Sequence, residues 1–286
     1  MTYKASLAIT SVVVVQSLRE RDHPTGTNLF ENTIAPALFQ KDMLGELYVV
    51  STRRQFVGAL HRTLQLARVG HAPILHLETH GDVEGLQLTS REILEWAELA
   101  PLLSEINQAC RMNLLVVAAA CHGWFLGTVL KPTDRSPVWG VLGPSDAAYP
   151  DDLYRAMTNF YRALLTRFDM RAALDAMNGD AAIGEWVYRL EWAEMLFCKV
   201  FRHYMRDLEG EETREQRVNR LVADVARQQN LDVNQTMRLR ADFSAKLGDH
   251  KWWFDYYKTR FLMLDLFDEN RSRFQLTFEE CSRDAI

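Results

Sequence analysis

Two apolar segments in the first half of the chain each end at a reactive side chain and then a glycine. The first, residues 74–82, reads ILHLETHGD, and the second, residues 112–123, reads MNLLVVAAACHG. Short apolar runs rich in β-branched and aliphatic residues predict buried strands. Because the carboxyl ends of parallel strands meet at one edge of a sheet, we expect His80 and Cys121 to lie close together there.

Strand and helix patterns alternate through the first half of the chain. Further strands are predicted at residues 6–16, 46–51 and 138–142. Helices are predicted at residues 29–39, at residues 52–69 with Thr52 as the cap, and from Ser90 onward with an interruption near Pro101. Strands separated by helices require crossover connections, so the pattern predicts an α/β fold with a mostly parallel sheet flanked by helices.

From residue 151 onward the pattern is helical. A stripe of apolar residues at helical spacing runs from Trp186 to Leu208 and is interrupted by charged residues, which is typical of an amphipathic helix. We therefore predict two parts, a sheet domain at residues 1–180 and a helical accessory region at residues 181–286 packed on it.

Composition excludes several classes of function. The 286 residues carry a formal net charge of -5, so direct nucleic-acid binding is not expected. No apolar run reaches the ~20 residues that span a bilayer, and the start lacks a signal-peptide pattern, so we expect no membrane contact and a cytoplasmic location. The four cysteines show no paired spacing, which argues against a disulfide framework and a zinc ribbon.

A histidine beside a cysteine is the minimum equipment for cysteine-based acyl transfer. A free thiol with a pKa of about 8.5 is only partly ionised at neutral pH, and His80 can take its proton and later deliver it to a leaving amine. The backbone N–H groups of Gly81 and Cys121 are the predicted donors to the oxyanion. Gly123 allows a tight turn and the close approach of a substrate backbone.

A metal site is the alternative use of the same residues. His76, Glu78 and His80 alternate along one strand, so all three can face one side, and Cys121 or His122 would complete a four-ligand shell. We favour the reading without metal and expect no cofactor. His76 is then an internal polar residue that is hydrogen-bonded within the fold, and His122 shapes the surroundings of Cys121 more than it acts as a base.

The two motifs resemble those of caspase-like cysteine peptidases of the CHAT type, a group related to caspases, metacaspases, separases and gingipains. Residues 76–81 (HLETHG) resemble the His-Gly motif of that group, and residues 119–123 (AACHG) resemble its cysteine motif. The order of later segments, residues 139–146, 154–165 and 172–178, is also similar. The resemblance covers residues 5–180 and implies a caspase-like fold, with His80 as general acid/base and Cys121 as nucleophile.

The sequence departs from that group in two places. Only one residue separates Cys121 from Gly123, fewer than is usual. Ala119 stands where relatives that cut after arginine or lysine carry an acidic residue, so that source of basic specificity is absent.

Several side chains are candidates for selecting the substrate. Arg19 and Arg21 follow the first strand, where caspases build part of the pocket for the residue before the scissile bond, and either could bind an acidic side chain. Asp146 would instead favour a basic one. Glu78 and His122 are further pocket candidates.

These observations lead to three hypotheses about function. The first is a cysteine endopeptidase that cleaves a protein partner; the resemblance implies a bacterial defence or signalling system and an activating protein partner. The second is a catalytically inactive caspase-like interaction scaffold whose aromatic C-terminal helices form its contact surface. The third is a metal-dependent hydrolase that uses His76, His80 and Cys121.

Overall fold

The computed structural model describes residues 7–180, 188–209, 214–246 and 249–282. Contacts divide these residues into two units. The sheet unit holds the described residues up to 129 together with the described residues between 137 and 193, and the helical unit holds residues 130–136 and the described residues from 194 onward. The domain boundary predicted after residue 180 adjoins a segment outside the described residues, and the strand that follows that segment belongs to the sheet unit.

The sheet unit is built on eight strands. They are β1 (Ser11–Ser17), β2 (Leu44–Val49), β3 (Pro73–Gly81), β4 (Gly85–Gln87), β5 (Ile93–Glu95), β6 (Leu115–Ala119), β7 (Gly140–Pro144) and β8 (Tyr188–Trp192). Six of them follow the order β2-β1-β3-β6-β7-β8, and the β4–β5 hairpin pairs with the end of β3. The pairs from β2 to β7 along this order are parallel and β7–β8 is antiparallel, so the predicted α/β class with a mostly parallel sheet is confirmed.

Helices cover the sheet. Helix α1 (Thr25–Leu29) continues through a π-helical turn (Phe30–Ile34) into α2 (Ala35–Phe39); the others are α3 (Arg53–Arg68), α4 (Trp96–Ala109), α5 (Pro150–Arg167) and α6 (Met170–Asn178). The strand order reverses at β1, so right-handed crossovers place α1 and α3 on opposite faces. Buried on both faces, the central strands are almost wholly apolar, as Val12 to Val15 illustrate with no exposed surface.

Helix α3 begins where the sequence predicts. Thr52 accepts a hydrogen bond from the backbone N–H of Gln55, whose side chain reaches back to the backbone N–H of Thr52. This reciprocal capping box satisfies donors that the first turn of a helix leaves without partners. The predicted cap at Thr52 is therefore confirmed.

Two predicted helices begin later than the sequence pattern indicates. The helix predicted from Ser90 begins only at Trp96, because Ile93–Glu95 pairs with β4 as a strand, and it continues through Pro101 without a break. Its apolar face, which includes Trp96, is buried and holds it against the sheet despite the one N–H that proline lacks. The amphipathic helix predicted from Trp186 to Leu208 begins only at Ala193 and runs to Glu209, because Tyr188–Trp192 is strand β8. Trp186 itself lies outside the described residues.

The helical unit packs around aromatic side chains. Its helices are α7 (Ala193–Glu209), α8 (Arg214–Gln229), α9 (Val233–Lys246), α10 (His250–Phe261), α11 (Glu269–Arg273) and α12 (Phe278–Ser282). The ring of Phe197 lies 5.5 Å from those of Phe254 and Phe261, and the guanidinium of Arg135 donates to both oxygens of Asp265 at 2.8 Å. The predicted C-terminal helical extension is confirmed. None of the helices in the described ranges is both long and apolar enough to cross a membrane.

Two glycines of the sheet unit provide a test of the hairpin beside β3. A Cβ added to Gly85 would lie 2.1 Å from the carbonyl oxygen of Leu94 on β5. One added to Gly58, at an exposed position of α3, would meet nothing within 4 Å. Because the contact at Gly85 is with backbone, we expect Gly85→Ala to lower the free energy of unfolding by about 1–3 kcal/mol. Gly58→Ala should raise it by about 0.5–1 kcal/mol, since alanine favours the helix.

Urea unfolding of the two variants, compared with the wild type, measures both changes. A Gly85→Ala protein as stable as the wild type would show that the hairpin does not close against β5 as described.

Candidate active site

The register between β3 and β6 brings His80 and Cys121 to the same edge of the sheet. The last residues that pair across these parallel strands are Glu78 and Ala119. His80 and Cys121 each come two residues later, on strands that run about 4.8 Å apart. A Cβ added to Gly81, the residue after His80, would lie 2.8 Å from the carbonyl oxygen of Cys121, so the two strand ends are in contact.

The turn after β6 leaves the Cys121 side chain partly exposed, whereas the other three cysteines are buried as predicted. His122 has a positive φ of 56°. A Cβ at Gly123 would lie 2.3 Å from the carbonyl oxygen of Ala118, so only glycine fits there. The thiol sulfur of Cys121 lies 4.0 Å from the carbonyl oxygen of Ala148, at the opening before α5.

His80 is held by a carboxylate that the sequence analysis did not single out. Its Nε2 donates to Oδ2 of Asp22 at 2.7 Å, and the same oxygen accepts the backbone N–H of Arg19 at 2.9 Å. The hydrogen bond from His80 is the largest of the influences that lower the pKa of the Asp22 carboxyl. The position of Asp22 after β1 could have pointed to it, because β1 is the neighbour of β3 in the sheet and both strands end at the same edge.

A second histidine–carboxylate pair is buried beneath this edge. His76 Nε2 donates to Glu78 Oε2 at 2.9 Å, and the Thr25 hydroxyl donates to Glu78 Oε1 at 2.6 Å. The Tyr161 hydroxyl is hydrogen-bonded with His76 Nδ1 at 3.2 Å, and burial, followed by the charge of Glu78, raises the pKa of Tyr161. His76 is thus the internal, hydrogen-bonded residue that the sequence predicts.

Glu78 was proposed from the sequence as a pocket residue, and the structure corrects this. The residue is only 3% exposed, and each of its carboxylate oxygens accepts a hydrogen bond from inside the fold. A buried charge needs such partners, which leaves Glu78 no free face for a substrate.

Tyr188 on β8 adds a further buried polar group near the thiol. Its pKa is raised mainly by burial and then by the negative charges of Asp152 and Glu78, with a smaller influence from Cys121. It therefore brings a neutral hydroxyl, and not a base, to the surroundings of Cys121.

The metal hypothesis gains no support from the side-chain arrangement. Within the described ranges, no three His, Cys, Asp or Glu side chains are grouped so that they could hold a metal ion. His76 and His80 share a strand, but each uses Nε2 with its own carboxylate, Glu78 and Asp22 respectively.

A basic pocket is linked through Gln87 to the strand end that carries His80. The cavity has a volume of about 580 Å³ and is lined by Arg19, Glu20, Arg21, Thr89 and Arg91. We call it the arginine pocket. The guanidinium of Arg19 donates to Gln87 Oε1 at 2.7 Å, and Gln87 pairs with His80 across β3 and β4. In the structure, Arg91 lines the same pocket as the predicted Arg19 and Arg21. The sequence analysis missed Arg91, because it is the β4–β5 hairpin that brings this residue to the pocket.

Asp146 comes shortly before the start of α5, and His122 directly follows Cys121. The backbone N–H of His122 approaches the Asp146 carbonyl oxygen at 3.4 Å, while the exposed Asp146 carboxylate accepts the N–H of Ala147 at 2.7 Å. The His122 ring packs edge-on against Phe125 at 5.6 Å, and its buried Nδ1 makes no hydrogen bond within the part of the chain described. This packing agrees with a role for His122 in shaping the turn.

No protein-family model matches this chain, and no curated protein sequence matches it either. What can be said of its activity therefore depends on the fold and on the chemistry of the strand edge.

The buried pair gives a stability prediction. Glu78→Ala would leave His76 and Thr25 without their acceptor inside the fold, and removing one partner of a buried pair typically costs about 3–5 kcal/mol. We expect a loss of that order in urea unfolding. Glu105→Ala, which removes an exposed carboxylate on α4, is the matched control and should change stability by less than about 0.5 kcal/mol. Equal effects in both variants would contradict the network.

Proposed function

We propose that the protein is a cysteine endopeptidase in which His80 and Cys121 form the catalytic dyad. The observation that carries the proposal is the contact between the ends of β3 and β6, where Gly81 lies against the carbonyl of Cys121. The partly exposed thiol supports it, because a nucleophile must be reachable by a substrate. The resemblance to CHAT-type peptidases points to the same two residues.

The proposed reaction is a two-step acyl transfer. His80 takes the thiol proton of Cys121 as the sulfur attacks the carbonyl carbon of the scissile peptide bond. The tetrahedral intermediate collapses, the carbon–nitrogen bond breaks, and His80 gives its proton to the leaving amine. Water, deprotonated by His80, then attacks the carbonyl carbon of the thioester, and the carbon–sulfur bond breaks. The product leaves with its new carboxyl group, and His80 returns the proton to the sulfur of Cys121.

The developing oxyanion needs N–H donors. In the turn after β6, the N–H of Gly123 donates to the carbonyl of Ala120 at 3.0 Å and that of His122 faces the carbonyl of Asp146. We therefore assign the N–H of Cys121 to the oxyanion, with that of Gly81 as the second donor. In other enzymes, losing one such donor costs about 2.7–4 kcal/mol of transition-state stabilisation.

The arginine pocket favours an acidic side chain in the substrate. Arg19, Arg21 and Arg91 line it with a single opposing carboxylate, that of Glu20. A guanidinium binds a carboxylate through two parallel hydrogen bonds, which makes such a pocket selective as well as attractive. Asp146, the residue that would favour a basic side chain, is not among the residues that line this pocket.

The wider setting of the proposal comes from the resemblance. It comprises a protein substrate, an activating protein partner, and a bacterial defence or signalling system in the cytoplasm. None of the four cysteines forms a disulfide, which is compatible with a reducing compartment. The net negative charge agrees with a protein substrate more than with nucleic acid.

The first test of the proposal is loss of cleavage in Cys121→Ala. Wild-type and variant proteins are each incubated with a bacterial lysate, and new protein N-termini are mapped by mass spectrometry. We expect new termini with the wild type and none with the variant, because alanine lacks the nucleophile. Cys110→Ala, which changes a buried cysteine at the end of α4, is the matched control and should cleave as the wild type does.

The same termini in wild type and Cys121→Ala would refute the dyad. A lack of new termini with any protein, together with slow alkylation of Cys121, would favour the inactive scaffold.

The substrate preference has its own test. We expect peptides with Asp or Glu before the scissile bond to be cleaved faster than matched peptides with Lys. Because a charge-assisted hydrogen bond contributes about 1.5–3 kcal/mol, Arg19→Gln should lower kcat/KM for the acidic peptide by about 10–100-fold. Arg68→Gln, at the exposed end of α3, is the control and should have no effect. A preference for Lys that disappears in Asp146→Asn would overturn this assignment.

A further inference from the structure

The partner of the His80 ring is an ionised side chain from the loop after β1. We propose that Asp22 is a positioning residue for His80: its carboxylate holds the ring and its tautomer so that Nδ1 exchanges the proton with Cys121. The inference rests on the proposed function of the dyad and adds a third member to it.

The tautomer follows from the chemistry of the hydrogen bond. An ionised carboxylate can only accept, so the 2.7 Å contact requires the hydrogen of the His80 ring to be on Nε2. In the neutral ring Nδ1 then carries the lone pair, which is what a base needs to take the thiol proton. Once Nδ1 is protonated, the positive ring remains beside the negative charge of Asp22, and this stabilises the ion pair with the thiolate.

The loop fixes Asp22 independently of His80. The N–H of Asp22 donates to the carbonyl of Arg19, and the N–H of Arg19 donates back to the Asp22 carboxylate, each at 2.9 Å. The Arg19 side chain is in turn anchored on Gln87 of β4. A carboxylate tied in this way to the backbone of its own turn can orient a ring, whereas one on a freely rotating side chain could not.

Exposure distinguishes this pair from the other histidine–carboxylate pair on β3. The side chains of His76 and Glu78 are 0% and 5% exposed, whereas those of His80 and Asp22 are 45% and 22% exposed. Only the second pair can meet a substrate. An ordinary surface ion pair adds little to stability, so its loss would leave the protein folded, and a positioning role would appear in reactivity alone.

Charged groups surround the His80–Asp22 pair in the turn after β1 and in the arginine pocket. Arg19 lies in the same turn as Asp22, and Glu20, Arg21 and Arg91 line the adjacent pocket. The Cys121 thiol follows β6. The hydrogen bond from His80 keeps the pKa of Asp22 below its usual value, so the carboxylate stays ionised throughout the neutral range. Any contribution of the pair to stability is present above about pH 4 and is lost as the pH falls further.

The test measures the reactivity of Cys121 with iodoacetamide from about pH 5 to about pH 9, the range in which histidine and cysteine titrate. The full-length wild type, Asp22→Asn, Asp22→Glu and His80→Ala are compared after subtraction of the signal from Cys121→Ala. Asparagine keeps the size of the side chain but removes its charge, and it can donate to Nε2, which favours the wrong tautomer. Asp175→Asn, which removes an exposed carboxylate from α6, is the control.

We expect the wild-type rate to rise at lower pH than that of an ordinary thiol. In Asp22→Asn the rise should move to higher pH and the rate at neutral pH should fall by about tenfold or more, with peptide cleavage losing kcat by about 10²-fold or more and KM changing little. Asp22→Glu should restore part of both. Thermal unfolding should show that all variants are folded and that Asp175→Asn behaves as the wild type.

Two results would overturn the inference, and they are distinguishable. If His80→Ala suppresses the low-pH reactivity and Asp22→Asn does not, the dyad stands and Asp22 has no positioning role. If the wild type titrates as an ordinary thiol and His80→Ala leaves that profile unchanged, the dyad itself fails.

Discussion

The candidate site depends on the register in which β3 pairs with β6. The two strands are buried on both faces and run parallel, with Glu78 opposite Ala119. A slip of one residue would turn every side chain of one strand to the opposite face, which buried strands do not tolerate. The register therefore determines that the chain segments carrying His80 and Cys121 leave the sheet side by side. Gly81, which lacks a Cβ, lets them touch.

The same strand uses two histidine–carboxylate pairs for different purposes. The inner pair, His76 with Glu78, is shielded from water and tied to α1 and α5 through Thr25 and Tyr161. It connects the sheet to the helices that cover it on that face. The outer pair is open to solvent and is held by a turn instead of by packing. The buried pair fixes the strand beneath the exposed pair. This combination suits a reactive site, because a reactive group must be both reachable and well oriented.

Much of this arrangement could be predicted from the sequence, and the misses have physical reasons. Apolar runs and the cap at Thr52 are local signals, so β3, β6 and α3 were predicted to within a few residues, whereas β1 begins at Ser11 and not at residue 6. Strand β8 was missed because its five residues, which alternate between apolar and polar as a strand does, were assigned to the amphipathic helix that follows them. The position of His80 and Cys121 at one edge of the sheet could be predicted, because the carboxyl ends of neighbouring parallel strands lie at the same edge. The positions of Asp22 and Arg91 depend on a turn and a hairpin, which hydrophobic periodicity does not indicate.

The turn from Arg19 to Asp22 joins two tasks within four consecutive residues. Arg19 anchors the turn through Gln87 and lines the pocket, while Asp22 at the other end holds His80. In the proposed reaction, substrate recognition and proton transfer therefore depend on the same four residues. Substitutions in the pocket would then alter the rate of the proposed reaction as well as its choice of substrate. Under that proposal, a new selectivity could evolve only through intermediates that keep this turn closed.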